Sequence, residues 1–335
     1  MRTLLTAALA AALLAPALAT AEADTDPATA AAHRGLQWLA SQQNLDGSIG
    51  EAPAVSSSAY AALAFARAGI DPGTVALPGG KSLEAFVVAS TRPTADTNVL
   101  ARQVLALAAS GAALDAPGFD VLAALRATFD GTQFGDRNLV NDDLFAIQAL
   151  LAAGVPASDP QVQAARSFLL AHQQPSGAFS FGALHPTNPD VAFALTFADV
   201  DTTGQALVAL LRSGSAPDDA PIVRALAWIK GNQNLDGGCT WSPLNLAFAA
   251  AFDPAHLGQS NTDSTTWALM GLRAAGQDVG GARWASPTGT TLVDYVLDLQ
   301  QGDGSFLYQP GAAGALQDQT TAYAVVALLG HDFVA

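Results

Sequence analysis

The stretch Trp228-Ile229-Lys230-Gly231-Asn232-Gln233-Asn234-Leu235-Asp236-Gly237-Gly238-Cys239 carries a pattern that returns three more times in the chain. The pattern is an aromatic, an aliphatic, three residues, Gln, a short polar run, then Gly and an apolar residue two positions later. Its other copies are Trp38-Leu39 with Gln43, Gly47 and Ile49, Phe168-Leu169 with Gln173, Gly177 and Phe179, and Tyr295-Val296 with Gln300, Gly304 and Phe306. Self-similarity at a period of tens of residues means a repeat architecture in which each unit buries its face against its neighbours.

After each copy comes a helix rich in Ala and Leu, opened by short polar residues and closed by glycine. Ser56-Ser57-Ser58 leads into Ala59 to Ala68, Asp96-Thr97 into Val99 to Ser110, and Asn141-Asp142-Asp143 into Leu144 to Ala153. Asp201-Thr202-Thr203 leads into Gln205 to Ser213, Asp263 to Thr266 into Trp267 to Ala275, and Gln319-Thr320-Thr321 into Ala322 to Leu329. These helices are apolar on nearly every face, which marks an inner ring. Their partners, such as Leu36 to Ser41 and Val223 to Lys230, mix charge with apolar residues and belong outside. The outer helices around Leu83 to Val88 and Val121 to Phe129 lack the full pattern. In the full copies the Gln is expected to bond turn amides, the Gly to permit the reversal, and the apolar residue to plug the neighbouring repeat. All inner-helix N-termini then lie at one end of the molecule.

The first residues read as an export signal: Arg2, an apolar run from Leu4 to Leu14, and Ala17-Leu18-Ala19 as cleavage site, with Ala23 as the alternative. The run is too short to span a bilayer, so no transmembrane anchor is expected in the mature chain, which would be periplasmic or extracellular. One cysteine excludes an internal disulfide. A net charge of -15, with only 14 Lys and Arg and no basic cluster, argues against nucleic acid as partner. The expected organisation is a signal peptide over 1–19, a flexible tail over 20–30, a helical ring over 31–330 and a short tail over 331–335.

The repeats resemble the QW repeats of the terpenoid cyclase and protein prenyltransferase superfamily. Arg34-Gly35, Trp38-Leu39, Gln43 and Gly47 fit that pattern, as do Arg224-Ala225, Trp228-Ile229, Gln233 and Gly237-Gly238, while its closing Trp is replaced by Ile49, Phe179, Cys239 and Phe306. The resemblance spans about residues 30–330 and implies an all-α fold, an α6/α6 toroid of six helix hairpins around a central cavity. It implies no single function, because the superfamily includes cyclases, transferases, cobalamin carriers and thioester domains.

Asp199-Val200-Asp201-Thr202 is similar to the Asp-x-Asp-Asp acid motif of class II terpene cyclases, with Thr202 at the fourth position. By that resemblance Asp201 is the acid that protonates an alkene or epoxide, and must be neutral in an apolar cavity. Against this stands helix capping by Asp201 or Thr202, since Asp96, Asp142, Asp263 and Asp318 open other inner helices. A further argument against cyclisation is that class II cyclases resemble two-barrel proteins, whereas this chain has residues for one barrel. No metal and no cofactor are expected: Cys239 plugs a turn, the histidines lack ligand spacing, and no thioester run is present. Asp201-Thr202-Thr203-Gly204 is also similar to inner-helix starts of cobalamin carriers. Two long connections, Gly182 to Ala198 and Thr240 to Gln259, are rich in Phe and Trp and read as a rim over the cavity.

The preferred expectation is therefore an exported toroid that binds a bulky, mostly apolar small molecule of isoprenoid or corrinoid type, or a separate protein partner, at the cavity mouth. Asp96, Asp142, Asp201, Thr202, Asp263, Thr266, Gln319 and Thr320 are the candidate polar rim, with Phe197 and Trp241 as apolar lining. A cyclase using Asp201 and a scaffold with a filled cavity are the competing readings. Small residues such as Ala62, Ala106, Ala146 and Ala209 fit either an open or a filled ring.

Overall fold

The computed structural model describes residues 26–51, 54–184, 197–241 and 259–334. The export signal, and the parts of the two long connections that hold Phe193, Phe248 and Phe252, lie outside the described residues. Outer and inner helices alternate along the chain. The outer ones are α1 (Pro27–Ser41), α3 (Leu83–Ser90), α5 (Val121–Arg126), α7 (Pro160–Ala171), α9 (Ala220–Gly231) and α11 (Leu292–Asp298). The inner ones are α2 (Ala54–Arg67), α4 (Thr97–Ala109), α6 (Val140–Ala152), α8 (Val200–Arg212), α10 (Thr262–Ala274) and α12 (Gln317–Leu328). Each inner helix packs on the next, and α12 returns to α2, so the inner ring closes. Every outer helix packs on the inner helix of the preceding repeat, and α1 accordingly lies on α12. The fold is the α6/α6 toroid. No helix among the described residues is long and apolar enough to cross a membrane.

The conserved-looking spacing of the repeats has a mechanical explanation in two bonds. In the first, the Gln amide clasps two carbonyls, one in its own turn and one in the next repeat. Gln43 Nε2 donates to Val75 O at 2.7 Å, Gln173 to Pro221 O at 2.7 Å, and Gln233 to Trp284 O at 2.8 Å. Gln300 Nε2 donates to Ala31 O at 2.7 Å and Gly304 O at 3.1 Å, tying the last repeat to the first. Its Oε1 accepts from Arg34 Nε at 3.0 Å. The glutamine thus donates to carbonyls, not, as expected, to the amides of its turn, which are already used within the turn. Gly304, at φ 96°, lets the chain pass against Arg34 O, where any Cβ would collide.

In the second bond, the plug residue after the glycine donates its N–H to a side chain in the first turn of the inner helix. Ile49 donates to Ser58 Oγ, Phe179 to Thr203 Oγ1 and Cys239 to Thr265 Oγ1, each at 2.9 Å, and Phe306 to Thr321 Oγ1 at 3.1 Å. A fifth copy, hidden in the sequence because its Gln and aromatic are out of place, has Phe134 donating to Asp143 Oδ1 at 2.9 Å. Apart from Asp96, which does cap its helix, the polar runs read as caps are therefore first helical turns: the inner helices start at Ala54, Thr97, Val140, Val200, Thr262 and Gln317. The plugs are fully buried, Cys239 among them.

Both segments expected to be tails are structured where they are described. The first helix begins at Pro27, with Asp26 as its cap accepting from Thr29 N–H at 3.1 Å. After α12 the chain crosses the far end of the ring. Asp332 takes Arg212 at the end of α8 at 2.8 Å, and Phe333 O accepts from Arg67 at the end of α2 at 2.8 Å. Helices α2 and α8 stand on opposite sides of the ring, so this segment spans it. Phe333 is buried against Tyr60, Trp267 and Tyr323, with ring centroids at 5.5, 5.0 and 6.1 Å. It closes the floor of the cavity.

If the glutamine clasp closes the ring, Gln300→Leu should lower unfolding free energy by about 2–3 kcal/mol, from two donated bonds and two accepted from Arg34. Urea denaturation beside the neighbouring control Gln301→Leu checks this. Equal stability of the two variants would show that ring closure does not depend on the clasp.

Candidate functional site

The plug bonds fix the rotation of the inner helices, and that rotation decides what faces the centre. Two residues before the bonded side chains stand Ser56, Asn141, Asp201, Asp263 and Gln319, with Asn98 at the equivalent place on α4, and of these Asn141, Asp201 and Gln319 line the central cavity. One turn deeper come Tyr60, Arg102, Phe145, Gln205, Trp267 and Tyr323, and one turn deeper again Ala64, Ala106, Ala149, Ala209, Gly271 and Ala327. The third layer is small throughout, so the helices close in there, most tightly where Gly204 and Gly271 let α8 and α10 touch backbone to backbone. Ala106 and Ala209 belong to this layer, whereas Ala62 and Ala146 are buried elsewhere on their helices.

Above it the ring stays open. A cavity of about 370 Å³ is lined by Tyr60, Arg102, Phe145, Gln205, Trp267 and Tyr323 from the second layer. Asn141, Asp201 and Gln319 from the first layer, and Asp199, Thr202, Phe181 and Trp241 at the rim, complete it. Tyr60 and Tyr323 meet edge to face at 4.7 Å, and Trp267 lies 4.8 Å from Tyr323, so one wall is continuous aromatic surface. Gln205 Oε1 accepts from Gln148 at 2.8 Å.

Asp199, not Asp201 or Thr202, caps α8. Its carboxylate accepts the Thr202 N–H at 2.6 Å, the Thr202 hydroxyl at 2.9 Å and the Phe181 N–H at 3.2 Å. Asp201 is thereby released from capping and points at the cavity with Oδ1 buried and without a hydrogen-bond partner. Burial raises the affinity of both carboxyls for their protons. Burial pushes Asp199 up to about 7 against three donated bonds that favour its charge, and burial first, then the neighbouring Asp199, holds the Asp201 carboxyl well above the usual carboxylate range. Ser264 offers Asp201 a hydroxyl that favours its ionised form.

The other candidates divide by position. Gln319 lines the cavity and accepts from the Tyr323 hydroxyl at 3.2 Å, Thr202 lines it beside its bonds to Asp199, and Trp241 stands at its rim, 37% exposed. Asp263 is held by Thr320 Oγ1 at 2.7 Å, and burial pushes its carboxyl up to about 6. Thr266 does not reach the rim, because its hydroxyl returns to Asp263 O at 2.8 Å within the helix. Asp96 caps α4, bonding Val99 N–H at 2.9 Å. Asp142 accepts from Asp136 N–H at 3.0 Å, and together with Asp96 it lines a separate polar cavity of about 670 Å³ between α4 and α6. Phe197 is half-buried just before the short strand Ala198–Asp199, which pairs with Phe179–Ser180. Sequence reasoning missed the second layer, each member of which sits four residues after a first-layer residue. Among the described residues no three His, Cys, Asp or Glu side chains gather as a metal site.

Several carboxyls here bind protons more tightly folded than unfolded: burial pushes Asp142 up to about 6 and Asp143 up to about 8. Between the unfolded value near 4 and these folded values the native state holds more protons than the unfolded chain, so stability falls as pH rises. The melting temperature should therefore be highest near pH 4–5 and decline toward pH 8. Asp143 has one oxygen on Phe134 N–H and the other unpartnered, where three other repeats have Thr. Asp143→Thr should raise stability at pH 8 by about 1–3 kcal/mol and flatten the decline. A melting temperature that rises from pH 5 to 8 would contradict this electrostatic account.

Comparison with known proteins agrees with the architecture. A squalene-hopene cyclase C-terminal domain model matches residues 197–316, and a prenyltransferase alpha-alpha toroid domain model matches residues 1–70 and 120–252. The squalene-hopene cyclase of Zymomonas mobilis is 30% identical over 131 residues, 39% of this chain. The chain spans 18% of that protein's length. Among solved structures, the type II terpene cyclase MstE from Scytonema superposes with a TM-score of 0.58 at 14% identity, covering 91% of this chain and 96% of that one. The same cyclase in complex with geranylgeranyl dihydroxybenzoate gives 0.57 at 14% identity, with the same coverage of both chains. A glycosidase gives 0.55 at 15% identity, covering 91% of this chain and 97% of that one. These likenesses show the shared single-toroid fold. The glycosidase shows that the shared fold selects no chemistry. With more than half of its residues matched by the toroid model, the chain belongs to the prenyltransferase alpha-alpha toroid family.

Proposed function

We propose that the central cavity takes an isoprenoid-type molecule and that Asp201 protonates it, initiating cyclisation. The observation that carries this reading is the Asp201 carboxyl, one oxygen buried and unbonded and its affinity for a proton raised by burial, facing a cavity walled by Tyr60, Phe145, Trp267 and Tyr323. Aromatic faces attract cations, so a carbocation formed beside Asp201 would be stabilised as it moves along them. The proton passes from the carboxyl to a terminal alkene carbon or epoxide oxygen, and a neighbouring alkene closes a C–C bond on the cation. Loss of a proton from the last cation balances the first gain, so the net change is isomerisation. As Asp201 ionises, the Ser264 hydroxyl supports the new charge.

A carboxyl whose proton is held by burial and a neighbouring charge is a weaker acid than a free one. This favours an easily protonated group, an epoxide over a plain alkene. The slender cavity suits a chain more than a corrinoid, whose broad macrocycle the Phe333 floor and the small-residue layer leave no depth to enter. Export is part of the same reading, supported by the leader pattern over 1–19.

Purified protein incubated with a geranylgeranyl-type polyene and its terminal epoxide should convert the epoxide faster, with cyclic isomers detected by gas chromatography and mass spectrometry. Asp201→Asn cannot supply the proton and should lower conversion by about 10²–10⁴. Equal conversion by both proteins would remove Asp201 as the acid, and none by either would end the enzymatic reading and leave binding alone. N-terminal sequencing of protein from its host's exported fraction should begin at Thr20, or at Asp24 for the later cleavage. Recovery with Met1 intact would refute export through this leader.

A further inference from the structure

Arg102 stands where three spaces meet. It lines the central cavity, the polar cavity between α4 and α6, and an apolar groove of about 300 Å³ between α2 and α4. Its guanidinium lies over Phe145, 5.1 Å from the ring centroid. Among the described residues it forms no ion pair within 4.0 Å and no hydrogen bond, and its Nε is buried without a partner. Several other polar groups at this end of the ring are bonded, Asp199 to Thr202, Asp263 to Thr320 and Gln319 to Tyr323, whereas Asp201 Oδ1 and Gln205 Nε2 are, like Arg102 Nε, buried without a partner. A half-buried cation with five unused donors costs stability unless something else supplies the acceptors.

The next inner helix places a second unused donor beside it. Asn141, at 8% exposure, lines the same central cavity, and its side-chain amide makes no hydrogen bond among the described residues. The polar cavity on the other side of Arg102 carries Asp96, Asp136 and Asp142; Arg102 favours the charge on Asp142 through space without bonding it, and the three carboxyls repel an anion there. The acceptor must therefore approach from the central cavity. Arg102 lies on α4 and Asp201 on α8, separated around the ring by α6, so anchor and acid face the cavity from different walls.

We propose that Arg102, with Asn141, anchors an anionic head group, a carboxylate or phosphate, on a ligand whose apolar chain fills the cavity toward Asp201. This rests on the isoprenoid reading of the cavity but not on turnover. The head would be held by charge-assisted bonds from the guanidinium fork, while Phe145 fixes the plane of that fork. The chain's far end would then meet the acid, and the length between head and reacting group would select the substrate.

Binding can be read without catalysis, in the Asp201→Asn background, from the fluorescence of Trp241 and Trp267 on titration with geranylgeraniol, geranylgeranoic acid and geranylgeranyl phosphate. The anionic ligands should bind about ten-fold or more tighter than the alcohol. That preference should vanish in Arg102→Gln and be partly kept in Arg102→Lys. Preference for the acid alone assigns a carboxylate, and for the phosphate alone a phosphoryl head. Because Arg102 makes no internal bond, Arg102→Gln should melt at the same temperature or higher. Equal binding of alcohol and anions would overturn the anchor while leaving an isoprenoid cavity. Binding of none of the three would overturn both, and a large loss of stability in Arg102→Gln would make the arginine structural. Anion-selective binding without turnover by the wild type would keep the anchor and end the cyclase reading.

Discussion

The ring rests on a bond that each repeat makes to the next. A glutamine amide reaches out of its turn to a carbonyl in the following repeat, and Gln300 does so to Ala31, so the last unit holds the first. Helix hairpins joined only by apolar packing could slide or open, because hydrophobic contact has no direction. The clasp sets distance, and the plug bond from Phe179, Cys239 or Phe306 to a threonine sets rotation. Once rotation is set, the polar first turn of each inner helix is divided. One residue bonds outward to the plug, and the residue two before it is left facing the axis.

That division creates the site. Asp201 is aimed at the centre because Thr203 is tied to Phe179, and its Oδ1 is left without a partner because Asp199 has taken the cap. In the neighbouring repeats the same ring position holds Asn141 and Asp263, and Asp263 is occupied by Thr320. Asp201 is thus distinguished from its counterparts by its surroundings, not by its residue type. Below it the third layer of small residues narrows the ring until Phe333 closes it, so the cavity has depth for about two helical turns of side chains. An acid, a cation and an aromatic wall then surround one partly enclosed space, where charges act more strongly than in open water.

The architecture was legible in the sequence because a glycine reversal, a clasp and a plug tolerate little substitution at four copies. Their spacing survives even where the closing aromatic has become Cys239 or Ile49. The third copy was not legible, since Asp143 replaces the usual hydroxyl and Gln133 sits in the wrong place for the pattern. The site was legible only in part. Asp201, Thr202, Gln319 and Trp241 come together at the cavity, while Asp96 and Asp142 line a different one and Thr266 turns back on its helix. The fault was one of register: taking every polar residue before an inner helix as equivalent hid a two-residue offset between the cap at Asp199 and the inward carboxyl at Asp201. Tyr60, Arg102 and Trp267 went unnoticed because an inward face cannot be told from an inter-helix face in helices that are apolar all round.

The account stands on Asp201 carrying its proton in the cavity at neutral pH. Infrared difference spectra of wild type minus Asp201→Asn, recorded from pH 5 to 8 in water and in deuterium oxide, read that directly. A protonated-carboxyl C=O band that shifts on deuteration, persists to pH 8 and is absent from the variant is the predicted result. A difference spectrum showing only ionised carboxylate at pH 7 would contradict the claim, because a charged Asp201 has no proton to give.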